Sequence, residues 1–440
     1  MLPQMLAQVS APFANGDFWP LVMRFMPFVI FYELPYTLLV YLGVWKYRYE
    51  RRTNDVRDAY FPAVSCIVTC YGEGDAVRQT IRSLSEQIYP GHIEIVAMID
   101  GAAANRDTYE AALEMERGVK AMKGRSMIVV PKWRRGGRVS NVNTGLNYAA
   151  NEIIMVLDGD TSFDNNMVER ATRHFADPAV VAVSGCLRVR NADSSLAASL
   201  QAVEYFISIQ TAKAGLSEYN IVNNISGAFG VFRRKTIDLV WGWDAGTAED
   251  LDLTLRIKQY FGRYKKKFKI VFDPEAIGFT DVPDTFGGYF RQRQRWDGDL
   301  PFIYFKKHKK AFTPALTGWR NFLMLVVTGL YSQIVLPFII FLYTLWLFYY
   351  YPLYYVGGLM LVIYLFYFVM LSVMYLTSVF FISERRASDL SRVPLLLIFP
   401  LFTFVSRING MAATLHELFS GAHKDSSMAP WWVTKKSKFN

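Results

Sequence analysis

Charged residues are absent from one long stretch of this 440-residue chain. Positions 321 to 383 contain no Asp, Glu, Lys or Arg, and a helix rising ~1.5 Å per residue needs ~20 apolar residues to cross a bilayer. The sequence Tyr349-Tyr-Tyr-Pro-Leu353 predicts a break between two helices within that stretch. A further apolar run, about Leu21 to Trp45, is interrupted only by Arg24 and Glu33. The sequence therefore predicts a membrane protein with three spans.

Cysteine is also scarce, and two familiar nucleotide-binding loops are missing. Cys66, Cys70 and Cys186 are the only cysteines, and none has the spacing of a metal site. No G-x-x-x-x-G-K-[ST] loop is present, which argues against an ATPase, and no G-x-G-x-x-G follows the first predicted strand, which argues against dinucleotide binding. With 52% hydrophobic residues and a net charge of +10, the chain is too apolar for an ordinary soluble enzyme.

Lysine and arginine are missing from the first 20 residues and from the turn between positions 349 and 358. They cluster instead after the first span, before the second and after the third. Since positive residues mark the cytosolic side, we expect an integral plasma (inner) membrane protein whose N-terminus is outside. The region between the first and second spans and the C-terminus are expected in the cytosol, where a disulfide is unfavourable. The run from Val393 to Val405 is too short for a span and predicts an interfacial or re-entrant segment.

Between the first two spans, apolar runs of strand length alternate with helical patterns. Continuous runs rich in β-branched residues, joined by helices, indicate a mainly parallel sheet covered on both faces. The predicted strands are Ala63 to Cys70, Ile93 to Asp100, Ser126 to Pro131, Glu152 to Asp160 and Ala179 to Gly185. The predicted helices are Val77 to Gln87, Arg106 to Met122, Val139 to Ala150, Asn166 to Phe175 and, further on, Leu251 to Tyr260.

Polar residues follow three of these strands directly. They are Tyr71-Gly-Glu73 after the first strand, Asp100 with Gly101 after the second, and Asp158-Gly-Asp160 at the end of the fourth. Ligands of parallel sheets bind at the carboxyl ends of the strands. We therefore expect these side chains to line one binding site.

The pair Asp158 and Asp160 predicts a divalent metal. Residues two apart on a strand point to the same side, and two such carboxylates repel each other unless a cation lies between them. Mg²⁺ or Mn²⁺ suits oxygen ligands and usually takes one or two carboxylates together with phosphate and water. Alternatively, Asp-Gly-Asp is also a common exposed turn, so the pair alone leaves both interpretations open.

The stretch "YFRQRQRWDGD", from Tyr289 to Asp299, lies shortly before the second span. Such a basic cluster can be a simple anchor for anionic lipid headgroups. The order of motifs along the chain favours another interpretation. Asp100, Asp158-Gly-Asp160, Glu249-Asp250, Gln292-x-x-Arg295-Trp296 and Trp432-Val-Thr434-x-Lys436 form an ordered series. This series resembles the membrane-integrated processive family-2 glycosyltransferases, which include cellulose, chitin, hyaluronan and poly-N-acetylglucosamine synthases.

The resemblance implies an α/β domain of the glycosyltransferase-A type and a role for each matched residue. Asp250 would be the catalytic base, which takes a proton from the acceptor hydroxyl, or with Glu249 a first-turn acid that stabilises its helix. Glu249 and Trp296 would contact the acceptor. The nucleotide-sugar site would include Tyr71, Glu73, Asp100, Arg138, Asp158, Asp160, Gln292, Arg295, Thr434 and Lys436, with Asp158 and Asp160 also holding Mg²⁺ or Mn²⁺.

Other parts of the motifs are expected to have different roles. Arg138 lies in "GGRVSNVNTGL", and Asn143 of the same segment is a weaker candidate for donor contact. Arg291 and Arg293 are expected to face headgroups or solvent. Asp297 and Asp299 depart from the uncharged residues that the resemblance leads us to expect after the tryptophan. The terminal "WWVTKK" resembles a gating loop that covers bound nucleotide.

The resulting prediction is an inverting processive synthase that extends a β-linked glycan and passes it through its own spans. The donor would be UDP-glucose, UDP-N-acetylglucosamine or UDP-glucuronate, the other partners would be the growing polysaccharide and membrane lipids, and nucleic acid is not expected. The predicted divisions are an N-terminal transmembrane helix (1–50), a cytosolic glycosyltransferase domain (51–283), interfacial helices (284–320), two transmembrane helices (321–383), an interfacial or re-entrant helix (384–420) and the gating loop (421–440).

Two other functions are consistent with parts of the sequence. One is a single sugar transfer to a membrane lipid, because ceramide glucosyltransferases have a similar Q-x-x-R-W motif. The other is a transporter or channel with a nucleotide-binding domain. Its spans should contain buried ionisable residues, and positions 321 to 383 contain none.

Overall fold

The structure is a computed structural model that describes residues 13, 16, 18–53, 60–244 and 248–421. Thr434, Lys436 and the rest of the predicted gating loop lie outside the described residues. The described part contains one mixed sheet with helices packed on it, and long apolar helices on either side of that sheet in the sequence.

Eight strands form one sheet in the order β3-β2-β1-β4-β7-β6-β8-β5. Strands β1, β2, β3 and β4 pair in parallel, and so do β6 and β8. The strands are β1 (Val64–Cys70), β2 (Ile93–Asp100), β3 (Arg125–Lys132), β4 (Ile153–Asp158), β5 (Ser162–Phe163), β6 (Val180–Val189), β7 (Phe229–Arg233) and β8 (Lys269–Thr280). The mainly parallel sheet confirms the predicted fold class.

The central strands are buried on both faces, as their unbroken apolar sequences predict. Along β1, Ile67 belongs to one buried cluster, whereas its neighbours Cys66 and Val68 belong to another on the opposite face. The helices that accompany the sheet are Ala76–Ser85, Arg106–Lys120, Gly137–Tyr148, Met167–Thr172, Leu196–Tyr205, Ala212–Ser217, Arg234–Leu239 and Glu249–Arg263.

The end of β4 differs from the prediction. The strand ends at Asp158, and Gly159 and Asp160 form a turn. The main-chain N–H of Gly159 donates to the carbonyl of Thr69 in β1 (3.0 Å), and Thr80 Oγ1 donates to the carbonyl of Gly159 (2.8 Å). The expectation that Asp158 and Asp160 share one side of a strand was therefore wrong, because the backbone turns between them.

Three described helices are long and apolar enough to cross a membrane: Phe18–Arg51, Trp319–Tyr350 and Leu353–Phe381. The second and third are separated at Tyr351 and Pro352, as predicted. The first two contain π-helical segments, Val29–Glu33 and Leu325–Val335. A π-helical segment inside an α-helix often marks a functional position.

Further helices lie next to these spans in the sequence. The pair Arg386–Leu397 and Phe399–Ser420 is bent by 74° and would add a fourth span if it crossed as one unit. Helix Phe286–Gly298 packs against Phe399–Ser420, where Tyr289 Oη and Ser406 Oγ are 2.8 Å apart. The shorter elements are Phe302–Lys307, Lys309–Ala311, Pro314–Thr317, Arg386–Leu390 and Val393–Leu397. The domain boundaries stay predictions.

The first long helix packs closely on the sheet domain through two glycines. A Cβ atom on Gly43 would lie 2.7 Å from the Cα of Gly215, and one on Gly215 would lie 3.0 Å from the Cα of Val40. Such distances leave no room for a side chain, so the backbones of the two helices are in contact. Lys46, one turn further along, forms an ion pair with Glu218 (3.3 Å).

Candidate active site

Parallel pairing brings the ends of β1, β2 and β4 to one edge of the sheet. Thr69 lies opposite Asp158 in the register of β1 and β4, and Cys70 lies opposite Ile99 in that of β1 and β2. Tyr71, Glu73, Asp100, Asp158 and Asp160 therefore follow neighbouring strand ends. The register accounts for the expected proximity of these residues.

Arg138 joins the strand ends to the helix that carries Glu249. Its guanidinium forms an ion pair with Asp158, lies 2.7 Å from Glu249 and donates to the carbonyl of Gly227 at 2.5 Å. Burial opposes the charged form, but the charges of Asp158 and Glu249 outweigh it and raise the pKa of Arg138. One cation therefore neutralises two of the predicted site carboxylates.

Two more carboxyl groups at this edge are held in an environment that disfavours negative charge. Burial, with the nearby charges of Asp160 and Asp158, raises the pKa of Glu73 to about 8. Burial and the charge of Asp158 raise the pKa of Asp160 to about 6. Glu73 Oε2 is buried without a hydrogen-bond partner among the described residues. A cation placed here would favour the ionised carboxylates.

The chemistry of these oxygen donors suits Mg²⁺ or Mn²⁺. The described residues contain no group of three or more His, Cys, Asp or Glu side chains that could hold a metal by themselves. Mg²⁺ needs fewer protein ligands, because one or two carboxylates together with substrate phosphates usually suffice. Asp158 and Asp160 thus fit a metal that arrives with a phosphate-bearing substrate better than a permanently bound structural ion.

Asp100 supports a glycine-rich loop. Its buried carboxylate accepts from the main-chain N–H groups of Gly136 (2.7 Å) and Gly137 (2.9 Å). Gly137 has φ +78°, a conformation that L side chains rarely adopt. The guanidinium of Arg135, in the same loop, lies 4.3 Å from the ring centre of Tyr71. Asp100 therefore fixes the loop that precedes Arg138, and its contact with a nucleotide stays a prediction.

Asp250 lies in the first turn of helix Glu249–Arg263. Its Oδ2 accepts from the amide of Asn224 (3.0 Å) and from the main-chain N–H of Gly227 (3.3 Å), while its Oδ1 accepts from the N–H of Leu251 (2.7 Å). Both Glu249 and Asp250 are first-turn acids, which favours the helix. The hydrogen bonds also fix the direction of the Asp250 carboxylate, as a catalytic base requires.

The Q-x-x-R-W residues lie on helix Phe286–Gly298, which begins with Thr285 accepting from Gly288 (3.1 Å). Arg295 is half-buried and makes no ion pair within the described part of the chain. Burial lowers its pKa, against the charges of Glu249, Asp299 and Asp158. Its guanidinium is therefore close to the site carboxylates and available for an anion.

The expected placement of Arg293 was wrong. Its guanidinium forms an ion pair with Glu204 (2.8 Å) and lies 4.6 Å from the ring centre of Trp296. Arg293 and Trp296 are three residues apart, so they lie on the same face of the helix. This spacing is visible in the sequence and could have predicted the contact. Arg291 is exposed, as expected.

The other two motif residues differ in exposure. Trp296 keeps 37% of its surface exposed. Gln292 Oε1 is buried without a partner among the described residues.

Several neighbours of the site were not found from the sequence. Asn224 holds Asp250, and Asn223 hydrogen-bonds Thr328 of the second long helix. Tyr304 is buried, and the charge of Asp250 adds to the burial that raises its pKa. The only feature of the sequence that could have indicated these contacts is the pair of adjacent asparagines in "IVNNISG". Asn143, by contrast, binds the main chain of Trp243 at 2.8 and 3.0 Å, which is a structural role.

Comparison with known proteins identifies the family. The family described as "Glycosyltransferase like family 2" matches residues 62–298, which is more than half of the chain. The chain belongs to this family. That match includes the sheet, Asp250 and the Q-x-x-R-W helix, and so confirms the glycosyltransferase-A type expected for the fold.

Two relatives of this family 2 glycosyltransferase are poly-β-1,6-N-acetyl-D-glucosamine synthases. The protein from Staphylococcus aureus (strain MSSA476) is 26% identical over 283 residues, covering 62% of this chain and 65% of the relative. That from Staphylococcus epidermidis is 29% identical over 235 residues, covering 53% of each. The match thus spans less than two thirds of either relative.

Two solved structures have more distant similarity to the glycosyltransferase. A mannosyltransferase from Pyrobaculum calidifontis, in complex with GDP-mannose and Mn²⁺, aligns with TM-score 0.49 and 17% identity, over 88% of this chain and 96% of that chain. TarS of S. aureus aligns with TM-score 0.39 and 12% identity, over 80% and 55%. Both scores are below 0.5, so neither similarity bears on function.

Proposed function

We propose that this glycosyltransferase is an inverting, processive polysaccharide synthase. It transfers a sugar from a UDP-sugar to the end of a growing β-linked glycan and passes that glycan through its membrane helices. The catalytic domain and C-terminus would be cytosolic and the N-terminus outside, in the plasma (inner) membrane. The observation that carries the proposal is a series of polar and aromatic contacts that leads from Asp250 into the long apolar helices. The relatives favour N-acetylglucosamine as the first sugar to test.

The donor side of the reaction would be organised by the strand ends. Asp158 and Asp160 would hold Mg²⁺ or Mn²⁺, which neutralises charge that develops on a departing diphosphate. Arg295 suits phosphate oxygens because its guanidinium is planar and always charged. Tyr71, Glu73, Asp100, Arg138 and Gln292 would surround the nucleotide-sugar, and Thr434 with Lys436 would cover it.

Arg138 would change partners when the donor binds. Without donor, it neutralises Asp158 and Glu249. A metal-bound diphosphate brings both a cation for Asp158 and an anion for the guanidinium. The metal ion would then neutralise Asp158, and Arg138 would bind the diphosphate in place of the two carboxylates. Glu249, no longer paired with Arg138, would be free to contact the acceptor.

The acceptor side would be formed by Trp296 and Asp250. The exposed indole offers an apolar face to a sugar ring and an N–H donor to its hydroxyls. Arg293, stacked on the indole, holds the ring in place. Asp250 takes the proton from the attacking hydroxyl, a role that requires hydrogen-bond distance to that group.

The polar contacts beyond Asp250 continue into the membrane helices. Asn224 binds Asp250, and its neighbour Asn223 binds Thr328 in the second long helix. One turn later, the ring of Tyr331 packs on Tyr32 of the first long helix at 4.9 Å. The two π-helical segments contain Tyr32 and Tyr331, so the helical irregularities and the polar contacts coincide.

A buried acid, Glu33, and a half-buried base, Arg407, extend this series. Glu33 is 6% exposed, accepts from the hydroxyl of Tyr367 (2.9 Å) and lies 3.9 Å from a guanidinium nitrogen of Arg407. Arg407 Nη1 is buried without a partner among the described residues. Ionisable residues at membrane depth are costly and usually functional. Sugar hydroxyls, which both donate and accept, would complete the hydrogen bonds of this pair.

The alternative is one sugar transfer to a membrane lipid. Such an enzyme needs Asp250, Arg295 and Trp296 but needs no polar series through its long helices. Incubation of purified protein with radiolabelled UDP-glucose, UDP-N-acetylglucosamine and UDP-glucuronate, singly and in pairs, tests both functions. Long water-soluble polymer is the expected product, whereas only organic-soluble product would overturn the polymerase proposal.

Excess EDTA is expected to abolish donor turnover, and added Mg²⁺ or Mn²⁺ should restore it. Asp160→Asn should weaken UDP binding by roughly tenfold or more, because charge-assisted contacts contribute ~1.5 to 3 kcal/mol each. Calorimetry of UDP binding with and without Mn²⁺ measures this directly. Full turnover in EDTA would disprove the metal requirement.

Tyr367→Phe removes only the hydroxyl that binds Glu33. We expect mean polymer length to fall by up to about tenfold, because a net hydrogen bond contributes ~0.5 to 1.5 kcal/mol, while transfer to a short acceptor is unchanged. Tyr364→Phe, on the same helix, is the control, since that hydroxyl binds the carbonyl of Leu397 (2.6 Å). Product length is measured by gel filtration. Equal product lengths for the two variants would argue against passage of the glycan beside Glu33 and Tyr367.

A further inference from the structure

A basic surface surrounds the C-terminal end of helix Glu249–Arg263. Its members are exposed, and none makes an ion pair within the described residues. We call it the lysine face, and it consists of Arg263, Lys265, Lys266, Lys267, Lys306, Lys309 and Lys310. Seven positive charges without a matching acid repel one another. A negatively charged partner would relieve this repulsion.

The lysine face has a defined shape. Lys265 adopts a left-handed φ of 49°, which is uncommon for a residue with a side chain. The N–H of Lys266 donates to the carbonyl of Phe261 (2.9 Å), which closes the end of the helix. The ammonium of Lys266 lies 5.5 Å from the ring of Tyr260 and 5.8 Å from that of Tyr264. These contacts fix the backbone that carries Lys265, Lys266 and Lys267 and the position of the Lys266 ammonium.

Two contacts attach this end of the helix to the chain that enters the second span. Gln259 Nε2 lies 2.9 Å from His308 Nδ1, and Gly262 packs against the main chain of Leu316 and Thr317. Trp319, which begins the span, is 74% exposed. Exposed tryptophan is typical of the membrane–water boundary. The lysine face therefore lies beside the point where the chain enters the bilayer.

Two acids that contact Lys307, the neighbour of Lys306, are already paired within the protein. Asp244 binds Lys307 (2.8 Å). Asp252 accepts from His308 (2.7 Å) and pairs with Lys307 (3.0 Å) and Arg256 (2.8 Å). Lys307 is thus neutralised by the protein, unlike its neighbours Lys306, Lys309 and Lys310. This contrast separates structural lysines from those left for a partner.

We propose that the lysine face binds the headgroups of anionic phospholipids in the adjacent leaflet. Clusters of four to eight basic residues beside a span bind such lipids by charge. The position of the face next to Trp319, and its continuity with the membrane surface, favour a lipid over a soluble anion.

The helix that ends in this face begins with the catalytic carboxylate. It has 15 residues, so Asp250 lies about 20 Å from Arg263 at ~1.5 Å per residue. That distance exceeds the ~8 to 10 Å over which physiological salt screens exposed charges. Lipid charge would therefore act on Asp250 through the position of the helix. This second step rests on the proposed function, whereas lipid binding does not.

Lysine footprinting tests the binding itself. The protein is placed in nanodiscs of phosphatidylcholine alone or mixed with phosphatidylglycerol, treated with an amine-acetylating reagent and digested for mass spectrometry. Acetylation of Lys265, Lys266 and Lys267 should fall roughly fivefold in the anionic discs, the enrichment expected per basic residue. Lys120 and Lys123, on helix Arg106–Lys120 and just after it, should react equally in both. Equal reactivity of the lysine face in both discs would overturn the proposal, as would equal protection by inorganic phosphate in neutral discs.

Measurements of donor turnover separate lipid binding by the lysine face from its effect on Asp250. The triple variant K265Q/K266Q/K267Q should have normal donor turnover in neutral discs and should lose the increase that wild type shows in anionic discs. The control K120Q/K123Q should respond as wild type does. A triple variant that still responds fully to phosphatidylglycerol overturns the coupling to Asp250. Inactivity of every protein in every disc would instead refute the proposed enzyme function, and the footprint would still report lipid binding.

Discussion

Asp250→Asn is expected to reduce sugar transfer by about 10²- to 10⁴-fold, the usual contribution of a general base. The asparagine amide cannot accept the proton of the acceptor hydroxyl. The fold should be little affected, because the remaining side-chain carbonyl can still accept from the N–H of Leu251 (2.7 Å) and the side chain of Asn224 can turn its own carbonyl toward the new NH2 group. Single-turnover transfer and equilibrium UDP binding, measured on the same preparation, separate chemistry from binding, and UDP affinity should stay near that of wild type.

Glu249→Gln is the matched comparison for this variant. It removes the neighbouring carboxylate and its ion pair with Arg138 (2.7 Å), but leaves the carboxylate of Asp250 and its contact with Asn224 intact. We expect a smaller loss of transfer, seen mainly at low acceptor concentration. If Glu249→Gln were inactive and Asp250→Asn retained near-normal turnover, the base would be Glu249.

Arg295→Lys is expected to lower donor kcat/KM by about 10²-fold or more. The substitution keeps a positive charge but replaces a planar fork that binds two phosphate oxygens with a single ammonium. Each charge-assisted hydrogen bond contributes ~1.5 to 3 kcal/mol, so the loss of one or two of them gives this magnitude. Most of the effect should appear in the KM for UDP-sugar.

Arg291→Lys tests whether the effect is specific. Arg291 lies one turn earlier on the same helix and is exposed, so its replacement should change kcat/KM by less than about twofold, as is usual for exposed surface residues. Equal losses in the two variants would mean that any Arg→Lys replacement on this helix impairs the enzyme and that Arg295 has no special contact with the donor.

The central sheet could be predicted because its strands are buried on both faces. Such strands consist of unbroken apolar residues, and the five predicted strands correspond to β1, β2, β3, β4 and β6. Three strands were missed: the short β5, the antiparallel β7 and the long β8 (Lys269–Thr280). β7 (Phe229–Arg233) follows "NNISGA" and contains a glycine and an arginine, so its sequence lacks the pattern that periodicity detects. Its pairing with β4 and β6 is a tertiary contact.

In the candidate active site, too, some features could be predicted from the sequence and others could not. Residues directly after parallel strands could be predicted to meet, since parallel pairing brings strand ends together. The ion pairs of Arg138 join it to Asp158, 20 residues along the chain, and to Glu249, more than one hundred residues away, and no sequence pattern specifies them. The turn at Asp160 was one of two alternatives that Asp-Gly-Asp left open, and the sequence could not choose between them because the turn depends on hydrogen bonds of Gly159 with Thr69 and Thr80.

The backbone contact between Gly43 and Gly215 makes the first membrane helix and the sheet domain one mechanical unit. With no side chain between the two helices, neither can rotate or slide without a steric clash between main-chain atoms. Under the proposed function, the active site would keep its position relative to the first long helix during synthesis. In a synthase of the proposed kind, each added sugar would then be accommodated by movement of the product relative to the protein, one sugar residue per reaction.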